Sequence, residues 1–297
     1  MKQIAILGPT ASGKTAAAIE LAHRVNASIL SLDSLAIYKE VDIVSAKPTI
    51  KERQGIRHFG IDELYLNQYF SAATFFDIYQ KAKTACEAEG KNLIIVGGTG
   101  FYLKSLMEGL SEKIEATDET KRKITQIVHD LSQAYQRIVA EDPEYAAKIA
   151  PSDRYRIQKW YEIYLETGMA ATEFFKYHRR KPVIEEIPIF EINIDREVLR
   201  NRIAVRTQQM IKTGLIEEIF RLERKYTRKP NPMKAIGIAE TLDYLDGKYT
   251  LSQLHEAITT HTYQLAKRQR TFNNSQFPQK ISLLIDDLIK SASNYFN

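Results

Sequence analysis

Gly8-Pro9-Thr10-Ala11-Ser12-Gly13-Lys14-Thr15 follows the pattern of a phosphate-binding loop: glycine, any four residues, then Gly-Lys-Ser/Thr. The residues on either side support that reading. Ile4 to Leu7 form a short apolar run of the kind that becomes a buried strand, and Ala16 to Val25 have a helical pattern. A loop between a strand and a helix N-terminus points backbone N–H groups and the positive end of the helix dipole at a bound phosphate. Lys14 is then expected to reach the terminal phosphates, and the Thr15 hydroxyl to face a Mg²⁺ ion. Gly8, Thr10, Ala11, Ser12 and Gly13 supply the backbone cradle. The motif predicts a bound polyphosphate or pyrophosphate without saying what becomes of it.

The rhythm of the first hundred residues extends this. Apolar runs at Ile4–Leu7, Ser28–Leu32 and Leu93–Val96 alternate with helical patterns, which predicts an α/β fold with a parallel sheet covered on both faces. In such sheets ligands bind beyond the C-terminal ends of the strands. Gly8, Asp33 and Gly97 each follow a strand and should converge on one edge. From Glu115 to Lys181 the pattern is helical, charged and rich in tyrosine. Pro182 and Pro188 then flank a further strand, Ile189–Ile194. The expected architecture is a phosphate-loop NTPase-like core over residues 1–114 and 183–297, interrupted by a helical insertion at 115–182.

Composition narrows the class. Of 297 residues, 44% are apolar, enough for a sizeable core, and Lys plus Arg exceed Asp plus Glu by 42 to 37. The excess is concentrated. Arg154–Lys181 holds seven basic against three acidic residues, and His261–Lys280 holds four basic and none acidic. Either patch suits nucleic acid or a solvated helix face. One cysteine, Cys86, rules out an internal disulfide, and its helical, alanine-rich setting makes it a core filler. No apolar stretch approaches the length of a membrane span, and no leader precedes the first strand. A cytoplasmic setting is expected, and no cue calls for a dimer, so a monomer is expected too.

Two features bear on chemistry. Asp33 stands just past a strand, where an acid can accept a proton, hold a metal or cap a turn. The stretch Ile94-Ile95-Val96-Gly97-Gly98-Thr99-Gly100 lies where a phosphate-loop NTPase carries its Mg²⁺-holding acid. It has glycines and a threonine instead, which counts against nucleotide hydrolysis and suggests a backbone passing close to substrate.

Taken together, the motifs resemble the tRNA dimethylallyltransferase family. The match rests on the phosphate loop, on Asp33-Ser34 with Tyr38, Asp42 and Ala46-Lys47-Pro48, and on Gly97-Gly98-Thr99 with Tyr102. It continues through Glu108-Gly109-Leu110, the Arg202/Arg206 helix ending near Gly214, and Gln264-Leu265-Ala266-Lys267-Arg268-Gln269. The resemblance implies transfer of a dimethylallyl group from dimethylallyl pyrophosphate to the adenine on the 3′ side of the tRNA anticodon, with Mg²⁺ as cofactor. It places Asp33 at the adenine N6, and Thr99 and Arg206 near the pyrophosphate. The anticodon stem–loop is expected to touch Ser34, Tyr38, Lys47, Arg156, Lys159, Lys267, Arg268 and Gln269. The chain departs from the family pattern at Phe272-Asn273-Asn274, where a base is missing, and at Ile238, where tyrosine is common. A nucleotide kinase, an isopentenyltransferase of free adenine nucleotides and a non-catalytic tRNA-binding protein are the alternatives. The missing acid after Val96 opposes the first, and the basic aromatic insertion favours RNA over a free nucleotide.

Overall fold

A computed structural model describes every residue except 99, 110–113 and 179–180. The chain clusters into two compact units, Met1–Met107 with Val183–Asn297, and Glu108–Pro182.

The first unit is built on β1 (Gln3–Leu7), β2 (Ala27–Ser31), β3 (His58–Phe59), β4 (Asn92–Gly97), β5 (Ile189–Ile192) and β6 (Ile281–Leu283), joined in one sheet in the order β3-β2-β4-β1-β5-β6. All pairings are parallel. The central strands read as unbroken apolar runs because both of their faces are covered. Ile4, Ala5 and Ile6 are buried completely, as are Leu93 and Ile94. The helices of the first half are α1 (Lys14–Arg24), α2 (Ala72–Ala88) and α3 (Phe101–Glu108). Ala17, Ala18, Leu21 and Ala22 of α1 lie against the sheet, and their small side chains let helix and strands approach closely. The sequence pattern missed β3 and β6, which have two and three residues and sit at the sheet edges.

The second unit, among its described residues, is all helical: α4 (Asp118–Ile127), α5 (Leu131–Glu141), α6 (Pro143–Ala146), α7 (Arg154–Thr167) and α8 (Ala171–Tyr177). Its own core centres on Ile138, Ile157, Trp160, Tyr161 and Phe174. Trp160 stacks on Tyr164 with centroids 4.7 Å apart. Returning to the first unit, the chain adds α9 (Arg196–Lys212), α10 (Leu215–Tyr226), α11 (Ile238–Leu245), α12 (Leu251–Gln276) and α13 (Ile285–Phe296). A short 3₁₀ turn, Asn231–Lys234, occupies the Pro230/Pro232 break.

No helix among the described residues is long and apolar enough to cross a membrane. Cys86 is buried in α2, and burial raises its thiol pKa.

Candidate active site

The strand order makes β2, β4 and β1 neighbours, so the segments after them meet at one edge of the sheet. There a cavity of about 360 Å³ is lined by Thr10, Lys14, Asp33, Gly98, Tyr102 and Arg206, among others. A second, larger hollow of about 850 Å³ continues past Lys14 and Thr15 to Ala46, Arg202 and Arg206.

The phosphate loop is shaped by its own backbone. Ser12 N donates to Pro9 O at 3.2 Å, and Gly13, with φ of 96°, leads into α1, whose first turn has no side-chain cap. A left-handed φ of this kind favours glycine. The uncapped amides leave donors for an anion. Among the described residues Lys14 Nζ is in hydrogen-bond reach of no acid, and it donates to Pro9 O at 3.4 Å. Desolvation lowers its pKa to about 8, opposed by Asp33 and reinforced by Arg206. Burial likewise lowers the pKa of Arg206, against the attraction of Asp33. Arg206 Nη1 meets Thr10 Oγ1 at 3.5 Å, and Arg202 Nη1 donates to Ser12 O at 3.2 Å. Four-residue spacing on α9 therefore does put both guanidinium groups on the loop. Ser12 Oγ is buried with no hydrogen-bond partner among the described residues. Two desolvated cations and an unpaired hydroxyl around uncapped amides make a receptor for a polyanion.

Asp33 is both a cap and a free acid. Its Oδ1 accepts from Leu35 N at 2.8 Å and Ala36 N at 3.1 Å, which fixes the carboxylate after β2. Its other oxygen has no described partner, and the side chain borders the cavity. Beside it, burial pushes the Tyr102 hydroxyl up to about 12, as does the Asp33 charge, opposed by a hydrogen bond with Ser34. Tyr102 thus stays a neutral hydroxyl on the cavity wall.

Thr99 lies outside the described residues. The glycines around it have a cause the sequence does not show. A Cβ on Gly98 would sit 2.5 Å from Gln269 Nε2, and one on Gly100 would sit 2.8 Å from Asn273 Oδ1. The close neighbour of this turn is therefore α12. Gln269 Oε1 also accepts from Thr10 N at 2.9 Å, and Asn273 Oδ1 accepts from Gly100 N at 3.0 Å. One helix face thus ties the phosphate loop to the β4–α3 turn. Asn273 Nδ2 further donates to Glu191 at 3.3 Å, and Lys280 Nζ donates to Asn274 Oδ1 at 2.7 Å. Of the departure from the family pattern, Asn273 is thereby absorbed into a buried polar network, whereas Asn274 stays exposed. Ile238 is fully buried at the start of α11.

The residues expected to touch RNA divide. Lys267 and Arg268 are exposed on α12, and Arg156 is exposed on α7. Arg156 and Lys159 pair with nearby Asp153 and Glu162. Ser34 borders the cavity. Tyr38 is 3% exposed. The Lys47 side chain is 5% exposed, with its ammonium held by Asp42 at 2.7 Å and Asp62 at 2.5 Å. Gln269 is 8% exposed. In this structure Tyr38, Lys47 and Gln269 brace the site from within.

Sequence reasoning passed over Glu218. It is 1% exposed, and its carboxylate accepts from the amides of Asp42, Ile43 and Val44 at 2.9, 2.8 and 3.0 Å, pinning the segment at the cavity mouth. The signal was present. Glu218 shares a helix face with Leu215, Ile219 and Leu222, where a carboxylate needs buried donors.

The fold and site define a phosphate-loop enzyme whose acid stands after β2, with no acid after β4. Residues 36–276 match the model of the family described as IPP transferase. The chain belongs to that family. A tRNA dimethylallyltransferase of Sulfurovum sp. is 53% identical over 98% of this chain and 97% of its own length. One from Aliarcobacter butzleri is 50% identical over the full length of both. Among solved structures, a tRNA isopentenylpyrophosphate transferase from Bacillus halodurans superposes with a TM-score of 0.72, at 29% identity, over 99% of this chain and 95% of its own. A eukaryotic dimethylallyltransferase described as acting on tRNA gives a TM-score of 0.76 at 28% identity, over 96% of this chain and 74% of its own.

Proposed function

We propose that this enzyme transfers a dimethylallyl group from dimethylallyl pyrophosphate to N6 of the adenine 3′-adjacent to a tRNA anticodon, releasing pyrophosphate. The observation that carries the reading is Asp33: a fixed carboxylate in the same cavity as desolvated Lys14 and Arg206.

The adenine N6 lone pair is delocalised into the ring, so N6 is a poor nucleophile. As the N6–C bond forms and the C–O bond to pyrophosphate breaks, the Asp33 carboxylate accepts the N6 proton. Negative charge grows on the leaving oxygen, and Lys14, Arg206 and the loop amides stabilise it. The loop holds a leaving group, so no acid is required after β4 to serve a hydrolytic water. Thr99, by the family resemblance alone, is assigned a hydroxyl contact to the pyrophosphate.

No cluster of three or more His, Cys, Asp or Glu suited to a metal exists among the described residues. A Mg²⁺ ion bound together with pyrophosphate would need only one or two protein oxygens. Thr15, on the wall of the larger hollow, would be one of them. The ion would supply neutralisation of leaving-group charge. The target adenine has to leave its stack to reach Asp33, which an anticodon loop permits more cheaply than a duplex.

The test is incubation with labelled dimethylallyl pyrophosphate and either bulk tRNA or AMP. Label in tRNA alone is the expected result. Label in AMP overturns the RNA assignment, and label in neither overturns the transfer.

A further inference from the structure

A string of aromatic rings runs from the cavity wall to the surface. Tyr38 meets Phe70 with centroids 6.2 Å apart, Phe70 meets Tyr102 at 5.8 Å, and Tyr102 packs against Phe75 at 4.5 Å. Tyr102 borders the cavity together with Asp33. From it the string continues outward to Phe101 at 5.4 Å and then to Phe272 of α12 at 6.4 Å, both edge-to-face. Burial falls sharply along it. Tyr38 is 3% exposed and Phe101 is 46% exposed.

Phe101 is thus a large apolar ring at the first position of α3, held by two other rings yet open to solvent. Its backbone follows the Gly97–Gly100 turn, which α12 fixes through Asn273. A ring held in this way has lost most of its rotational freedom before any ligand arrives, so a partner that stacks on it orders little more. Its neighbour Tyr102 is on the wall of the cavity that contains Asp33. Phe101 itself does not line that cavity, so a group that reached it would lie beside the cavity and not in it.

We propose that Phe101, backed by Tyr102 and Phe272, is a stacking platform for the base of a nucleotide flanking the target adenine. This rests on the proposed RNA substrate and specifies one of its contacts. Every base has a π-face, so the platform holds the strand open beside the extruded adenine without reading sequence. Extruding the adenine removes a stacking partner from its neighbour, and Phe101 replaces that partner. The contact is absent for a free adenine nucleotide, so it raises selectivity for RNA as well as affinity.

The experiment measures binding of an anticodon stem–loop to the full-length parent, Phe101→Ala, Phe101→Leu and Phe101→Trp. The stem–loop is used intact and with an abasic nucleotide 5′ or 3′ of the target adenine. In the parent, one abasic position should weaken binding by about 5- to 150-fold, the measured span for a base stacked on an aromatic. Phe101→Ala should weaken the intact stem–loop by a similar factor and then show no further loss at that abasic position. Phe101→Leu keeps volume without a π-face and should behave like Phe101→Ala, whereas Phe101→Trp should bind at least as tightly as the parent. Pyrophosphate affinity and thermal midpoint should be unchanged in all three. Losses that simply add between protein and RNA changes overturn the platform, as does full binding by Phe101→Ala. Failure of the parent to label tRNA would instead overturn the reaction, so the two failures are distinct.

Discussion

Two buried polar clusters in this molecule are built in opposite ways. In the helical unit, Asp142 is 3% exposed and its lone pairs are used. It accepts from Trp160 Nε1 at 3.0 Å, Thr172 N at 2.9 Å, Thr172 Oγ1 at 2.6 Å and Tyr145 N at 3.1 Å. Desolvation pushes its pKa up, but those bonds more than offset it and the carboxylate ends below its ordinary value. In the phosphate loop, Ser12 Oγ has no described partner, and Lys14 and Arg206 are desolvated with only the Asp33 charge opposing. The first cluster is complete and stabilises the unit. The second holds cations and a hydroxyl that no described protein group satisfies, and groups of that kind gain most from an anionic partner.

The comparison is broken most severely at Asp33. Asp33→Ala should lower single-turnover prenylation by roughly 10²–10⁴-fold, the range for a lost general base, with little change in tRNA binding. A rate within a few-fold of the parent would show that Asp33 is only the cap of the 35–36 turn. The mirror experiment is Asp142→Ala. It leaves Trp160 Nε1 and the Thr172 donors buried without an acceptor, which should destabilise the helical unit by about 3 kcal/mol. Pyrophosphate affinity should stay at the parent value. Chemical denaturation read by Trp160 fluorescence checks the first statement, since Trp160 is the only tryptophan, and titration calorimetry checks the second.

A smaller effect follows from pH. Because the free-enzyme Lys14 pKa lies at about 8, the ammonium is mostly present at neutral pH and is lost as pH rises through that value. Bound pyrophosphate favours the charged form, so donor affinity should fall on the alkaline side, by about tenfold at one unit above the pKa if only the cation binds. Lys14→Met should remove that dependence and bind weakly throughout. A parent affinity flat to pH 9 would place Lys14 outside the anion site.

The incomplete cluster was readable from the chain and much of its support was not. Lys14 and the β1–α1 loop follow from a local pattern in which each residue's role depends on its immediate neighbours, and the place of Asp33 after a strand is local too, though its role came only with the family resemblance. The braces depend on distant ones. Glu218 grips amides some 174–176 positions away, and Gln269 meets Thr10 across 259. The glycines of the β4–α3 turn look like substrate clearance until α12 is seen lying on them. Lys47 is expected from the resemblance to touch RNA, and its ammonium joins Asp42 to Asp62. Nothing local to a lysine reports whether two carboxylates from elsewhere will close around it.

Lys267 and Arg268 extend the comparison to the surface, with the smallest effect at any one condition. They share α12 with Gln269 and Asn273 but project to solvent, so the helix carries exposed cations on one side and internal braces on the other. Exposed cations of this kind gain little from their own protein. If they meet RNA phosphates, each neutralised phosphate releases counterions, and log affinity falls with log salt in proportion to their number. Lys267→Ala with Arg268→Ala should therefore flatten the salt dependence of tRNA binding by up to about two units, one per contact. Pyrophosphate binding should be untouched, because neither side chain is among the groups on the phosphate loop. Parallel salt plots for parent and double variant would mean that these two residues are merely solvated. The comparison would then sharpen further, since these two cations of α12 would have no part in holding an anion. Flattened plots with unchanged donor affinity would instead show that α12 serves two anions at once: a phosphate backbone on its exposed side, and on its buried side, through the Gln269 brace, the loop that holds the leaving group.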